Sequence, residues 1–177
     1  MSIVFRPAGH DDIESLVELV ESAYRGESSR VGWTTEADLL EGQRIDRDGM
    51  RAAIDKDGAI ILLAERHGEL LGCANIERQG SAAYFGMFAV RPGMQGGGIG
   101  DAILLESERI AAQWTCTSMR MTVIWTRQEL IAFYQRRGYS NTGERQPFPY
   151  GDERFGLPKR QDLWFWVFAK PLSPVGI

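Results

Sequence analysis

The 177-residue chain is 44% hydrophobic and 25% charged, the balance of an ordinary globular protein, and its length suits one domain with a substantial core. A net charge of -4 gives no pull toward nucleic acid or an anionic membrane. No apolar run approaches the roughly 20 residues of a membrane span, and Met1 to Pro7 lacks a signal-peptide core, so a cytoplasmic location is expected.

From the N-terminus, Ile3 to Arg6 reads as a short strand ended by Pro7. Asp11 and Glu14 have capping-box spacing, and Ile13, Leu16, Val17, Val20 and Tyr24 recur at helical intervals, predicting an amphipathic helix that ends near Gly26. After a loop over Glu27 to Gly32, Thr34 or Thr35 could cap a second helix carrying Leu39 and Leu40 inward. Trp33, just outside that cap, is either a hydrophobic staple or a pocket wall. Gln43 to Asp57, with Met50, Ala53 and Ile54 at helical spacing, reads as a further helix. Ala59 to Arg66 and Glu69 to Arg78 form a hairpin about His67-Gly68. His67 is a turn residue and His10 stands before a helix start, so neither is a catalytic imidazole. Cys73 and Cys116 are too few for a disulfide framework or a zinc site and read as buried thiols.

The most informative stretch runs from Tyr84 to Leu105: an apolar strand, a glycine-dense break, then a periodic segment. Pro92 closes the strand after Val90, and Ile103, Leu104, Ile110 and Ala111 mark the helix that follows. That helix starts among glycines, so its first N–H groups carry no side-chain cap and no Cβ obstructs them, which makes an anion site. A dinucleotide fingerprint does not fit. Counting from Gly96 puts Asp101 at the third glycine, and counting from Gly98 puts Ile103 there. A P-loop needs Lys and Ser or Thr where Ile99-Gly100 stands. Met119 to Trp125 then alternates as a strand that should lie beside the one ending at Val90. Thr126 to Glu129 reads as a capping box for a helix over Gln128 to Arg137, stopped by Gly138, with Leu130, Ile131, Phe133 and Tyr134 on its apolar face. Gln146 to Gln161 is too rich in Pro and Gly for a regular element and reads as an ordered loop with aromatic teeth. Leu163 to Phe168 is a closing strand.

The run Gln95-Gly96-Gly97-Gly98-Ile99-Gly100 resembles the (Arg/Gln)-x-x-Gly-x-(Gly/Ala) signature of the GNAT N-acetyltransferase superfamily. Ala132-Phe133-Tyr134-Gln135-Arg136-Arg137-Gly138-Tyr139 resembles that family's helix ending in Tyr-x-x-x-Gly-(Phe/Tyr). The resemblance implies an α+β (mixed α/β) fold over a single domain, residues 1–177, with a mostly antiparallel twisted central sheet flanked by helices and splayed at its central strands. It implies acetyl-coenzyme A as cosubstrate, with the pyrophosphate on the amides of Gln95, Gly96, Gly97, Gly98, Ile99, Gly100 and Asp101 and the pantetheine arm along Phe88, Ala89 and Val90. Tyr134 takes the place of the general acid that protonates the leaving thiolate, and no metal is implied. The acceptor is an amine, on a small molecule or a peptide, bordered by Trp33, Glu36, Tyr150 and Asp152. A homodimer is left open.

One departure stands out: many members carry Asn seven positions before the tyrosine, where this chain has Arg127. Arg136 and Arg137 either reach coenzyme phosphates or serve the helix dipole. The strand from Tyr84 to Val90 has no carboxylate, which leaves Glu36, Glu77 or a water relay to take the amine's proton. A coenzyme-binding module without transfer, and transfer from another acyl-coenzyme A, are the alternatives.

Overall fold

The computed structural model describes residues 2–24, 40–41, 45–94, 97–150 and 157–173. Trp33, Thr34, Thr35, Glu36, Gln95, Gly96 and Asp152, singled out above, lie outside the described residues. In chain order the elements are β1 (Val4–Pro7), α1 (Ile13–Tyr24), β2 (Leu40–Glu41), α2 (Arg47–Asp55), β3 (Ala59–Arg66), β4 (Glu69–Gln79), β5 (Ala82–Val90), α3 (Ile99–Gln113), β6 (Ser118–Ile124), α4 (Gln128–Arg136), β7 (Ser140–Pro147), β8 (Leu157–Pro158) and β9 (Trp164–Pro171). Seven strands form a sheet in the order β1-β3-β4-β5-β6-β9-β7, and β2 pairs with β8. In the large sheet β5 and β6 run parallel and the other neighbours are antiparallel. The expected mixed, mostly antiparallel sheet flanked by helices is what the chain forms.

Strand alternation sorts the core into two layers. In β3, Ile61 and Leu63 face α1 and α2, meeting Leu16, Leu19, Val20 and Met50, whereas Leu62 and Ala64 face the layer of α3 and α4 with Ile103, Leu104 and Phe133. Both cysteines are buried free thiols. The His67-Gly68 turn is a two-residue hairpin with φ of 52° and 76°, values that suit the right-handed strand twist.

Several local expectations are corrected. The first helix is not capped by Asp11 and Glu14. A 3-10 turn over His10–Asp12 precedes it, and Asp12 Oδ2 accepts from Gly9 N at 2.8 Å. Asp12 takes this role because Arg6 donates to both its oxygens, at 2.7 and 2.9 Å, and holds it over the turn. The Thr126 to Glu129 box does not form either: Arg127 is the N-cap without a side-chain bond, Thr126 Oγ1 is buried and unpartnered, and Gln128 Nε2 turns back to Trp125 O at 2.9 Å. Leu40 sits in a strand, opposite Pro158, not in a helix. Ser140–Pro147 is a strand that the sequence reading passed over, and it takes Gln146 and Pro147 out of the expected loop. Every residue of β7 is exposed at the sheet edge, so it carries no apolar alternation to read.

The Arg6 hydrogen bonds hold the Asp12 carboxyl below the usual carboxylate range, against some opposition from burial. A folded-state pKa below the unfolded one adds stability above the unfolded value of about 4, and that stability is lost as pH falls through the folded value. Asp12→Asn should therefore be less stable than wild type at neutral pH and lose less between pH 5 and pH 2, as followed by urea melts at each pH. At the C-terminus of α3, Cys116 N bonds Ala111 O and Thr115 N bonds Ala112 O, both at 3.0 Å, which is a Schellman motif. Its left-handed position is held by Thr115, φ 64°, where a β-branched residue costs on the order of 1–2 kcal/mol. Thr115→Gly should raise the melting temperature by about 2–4 °C, the equivalent of roughly 1 kcal/mol for a chain of this length. An unchanged or lower value would contradict the strain.

Candidate active site

The site is built by an irregularity in β5. β4 pairs Gly72 with Val90 and Cys73 with Ala89, but Asn75 with Gly86, so Met87 and Phe88 together oppose Ala74. Met87 takes φ 47°, a value that non-glycine residues avoid. A bulge of this kind bends its strand. Accordingly β5 and β6 pair only at Ala82–Ser118, Ala83–Met119 and Tyr84–Arg120, although β5 continues to Val90 and β6 to Ile124. The central strands splay beyond Tyr84. The carbonyl of Phe88 accepts a hydrogen bond from the hydroxyl of Tyr24, the last residue of α1, which ties that helix to the bulge.

α4 closes the wedge from the other layer. Its C-terminus is a Schellman motif about Gly138, φ 93°, with Tyr139 N on Tyr134 O and Gly138 N on Gln135 O, both at 3.1 Å. The Tyr134 ring is buried among Phe85, Phe88, Phe133 and Tyr139, with centroids 5.6–6.4 Å away. Tyr134 borders a cleft of about 280 Å³ whose walls include Tyr24, Tyr84, Phe88, Thr122, Arg127 and Pro149. Burial pushes its phenol well above the ordinary value, Tyr24 and Tyr84 add to this, and the Arg127 charge opposes it. Tyr134 is therefore fully protonated at neutral pH. Arg127, standing where the resemblance leads one to expect Asn, places a permanent cation in the same cleft, its Cζ 5.6 Å from the Tyr24 ring centroid.

The glycine loop meets the same end of the sheet. Gly98 is the N-cap of α3, with φ 81° and no side-chain cap. A Cβ on Gly98 would meet nothing within 4 Å, and one on Gly97 only Met94 O at 3.7 Å. The helix start thus opens onto free space. Ile99 and Gly100 are buried, so only their backbone can serve a ligand. Asp101, in the first turn, accepts from Arg137 Nε at 2.7 Å, and the Arg137 guanidinium lies 3.6 Å from the Phe133 ring centroid. Gly98, Asp101, Ala132, Phe133, Arg136 and Arg137 line a groove of about 560 Å³. Tertiary structure therefore gathers the glycine loop and both arginines in one place.

Other candidates stand apart. The Tyr150 hydroxyl donates to Arg160 O at 2.9 Å and accepts from Leu163 N at 2.8 Å, so it braces the loop before β9. Its neighbour Pro149, not Tyr150, is the residue that borders the cleft. Glu77 pairs with Lys56 at 2.7 Å and is absent from the cleft's walls. The sequence reading missed Tyr24, Tyr84 and Thr122. For Tyr84 a signal existed in Gly86, since a glycine inside a strand marks a bulge or a close approach.

The Acetyltransferase (GNAT) family model matches residues 13–139. The chain belongs to the GNAT acetyltransferase family. Solved structures agree on the fold. The ribosomal-protein-S18-alanine N-acetyltransferase of Escherichia coli is 13% identical, with a TM-score of 0.72 over 99% of this chain and 97% of that one. The ribosomal-protein-alanine N-acetyltransferase of Brucella melitensis is 19% identical, with a TM-score of 0.70 over 96% and 99%. The PaiA N-acetyltransferase of Thermoplasma acidophilum, solved in complex with coenzyme A, is 17% identical, with a TM-score of 0.67 over 97% and 100%. Among curated proteins no sequence match was found. This GNAT protein is accordingly an acyltransferase of a family that uses acetyl-coenzyme A. Among its described residues no group of three or more His, Cys, Asp or Glu is placed to hold a metal ion, and no helix is long and apolar enough to cross a membrane.

Proposed function

We propose that this acetyltransferase, acting as a single domain, moves an acetyl group from acetyl-coenzyme A to an amine by direct attack, with Tyr134 as general acid. The observation that carries the reading is a buried, protonated phenol on the wall of the cleft where β5 and β6 part. The chain fits the cosubstrate at both ends. The start of α3 offers amides from Gly97 to Asp101 to a pyrophosphate, with open space at Gly97 and Gly98 for close approach, and Gln95 and Gly96 are proposed to contribute theirs. Arg136 and Arg137 line the same groove and can meet phosphate oxygens there, Arg137 while paired to Asp101 and with Glu129 also on the wall. The bulged stretch Phe88, Ala89 and Val90 leaves the β6 ladder and can take the pantetheine arm as an added strand.

Bound there, the cosubstrate supplies an activated acyl carbon joined to a sulfur leaving group. The amine nitrogen forms the new C–N bond as the C–S bond breaks, and the electron pair of that bond leaves on sulfur. Tyr134 gives its proton to the sulfur. Because a phenol is intrinsically a weaker acid than a thiol, this transfer is concerted with bond breaking, and the phenol recovers a proton from the amine nitrogen through water. Water is favoured for that relay because, among the described residues, the cleft has no carboxylate wall. Trp33, Glu36 and Asp152 are proposed to border the acceptor. The test is thiol release from acetyl-coenzyme A across a panel of primary amines. Binding of the cosubstrate without release on any amine would overturn the transferase reading.

A further inference from the structure

On the α1 side of the sheet a second cavity, of about 370 Å³, continues from the catalytic cleft and shares Tyr84, Thr122 and Gln146 with it. Its remaining lining includes Gln79 and Arg120, so it is polar where the cleft beside Tyr134 is aromatic. Three features fix the partition between the two. Tyr84 stands on the last rung that β5 and β6 share, opposite Arg120, where the strands begin to part. Its ring lies flat along β5 over Gly86, so closely that a Cβ on Gly86 would come within 2.9 Å of Tyr84 Cε1. Its hydroxyl then spans the gap to Thr122 Oγ1 at 2.8 Å. A glycine two residues on, which points to the same face, is what lets the ring lie down, and the hydrogen bond pins it there.

We infer that Tyr84 is a specificity-determining wall, which confines the acceptor to the aromatic compartment beside Tyr134 and so selects compact primary amines over long ones. The inference rests on the transferase reading above. The compartment of about 280 Å³ also has to admit the acetyl end of the cosubstrate, so an acceptor tail directed along the sheet toward Gln79 meets the Tyr84 ring. Without the ring the two cavities merge, and the far end of a longer amine reaches Gln79 and Arg120. The Tyr84 ring does not enter proton transfer in this scheme, so its removal should redistribute activity among acceptors.

The experiment measures kcat/KM for linear primary amines of stepwise increasing length with wild type, Tyr84→Ala and Tyr84→Phe. In wild type each methylene beyond the fit should cost on the order of tenfold. Tyr84→Ala should move that cut-off to longer amines and gain at least about tenfold on the longest relative to the shortest. Tyr84→Phe keeps the ring but loses the bond to Thr122, and should show a smaller shift in the same direction. It carries the test if Tyr84→Ala does not fold. Identical length profiles in an active wild type and in the folded variants would overturn the wall and leave the transferase reading standing. A wild type that binds acetyl-coenzyme A but acetylates no amine of any length would overturn both.

Discussion

Tyr134→Phe is expected to lower kcat by about 100-fold or more while leaving the fold and the affinity for acetyl-coenzyme A nearly unchanged. A positioned acid typically contributes 10²–10⁴-fold, equivalent to about 2.7–5.5 kcal/mol of barrier. The substitution removes one oxygen. The ring keeps its edge contact with Phe85, 6.3 Å between centroids, and its packing on Phe88, Phe133 and Tyr139. The backbone carbonyl of residue 134, which closes the Schellman motif with Tyr139 N, is untouched. A fall in kcat with a flat KM for the cosubstrate, from steady-state thiol release, is the signature of a group used in the chemical step and not in binding. Equal rates for the two proteins would reject the assignment.

The pH behaviour of the same residue follows from the sign of its shift. Burial raises the folded-state pKa of Tyr134 well above 10, so the phenol stays protonated across the physiological range and no alkaline loss of rate below about pH 10 belongs to it. The linked stability is fully present below the unfolded value of about 10 and is lost as pH rises through the folded one.

The second large effect is expected at the other end of the cosubstrate. Gly98→Asp places a carboxylate at the N-cap of α3, where the amides and the helix dipole favour an anion. The fold should tolerate it, because nothing lies within 4 Å of the added Cβ, and Asp visits the left-handed region of φ 81° more readily than most residues. The bound pyrophosphate would then face a like charge. At about 4 Å and an effective dielectric of 20 this amounts to up to about 4 kcal/mol, so the Kd for acetyl-coenzyme A should rise at least ~30-fold by calorimetry. Gly98→Asn has the same shape and backbone cost without the charge, and should lose markedly less. Unchanged affinity in Gly98→Asp would remove the glycine loop from cosubstrate binding, and with it the mode of binding on which the catalytic proposal depends.

The elements that place the site were legible for a physical reason. β3, β4 and β5 are apolar runs bounded by turn residues, α3 and α4 carry apolar residues at helical intervals, and both periods survive in a lone sequence because each element must bury one face. The glycine loop and the segment around Tyr134 were legible too, since an uncapped helix start and a tyrosine four residues before a C-terminal glycine are local patterns. β7 was not, because an edge strand exposed along its whole length has no buried face to mark it. The capping boxes failed because neighbours competed for the same helix starts: Asp12, held by Arg6, caps Gly9 N, and Gln128 turns back to Trp125 O.

What the amino-acid order determined unaided was most of the succession of strands and helices and the two segments whose motifs resemble those of the family, because these are patterns among near neighbours in the chain. Only the tertiary structure decided that β5 bulges at Met87, beside Gly86, and that the splay brings Tyr24, Tyr84, Arg127 and Tyr134 to one cleft. It also decided that Glu77 is turned to Lys56 and away from that cleft. These groups are separated by tens of residues, and their meeting depends on strand register and on how the two core layers pack against the sheet, which no stretch of sequence encodes by itself.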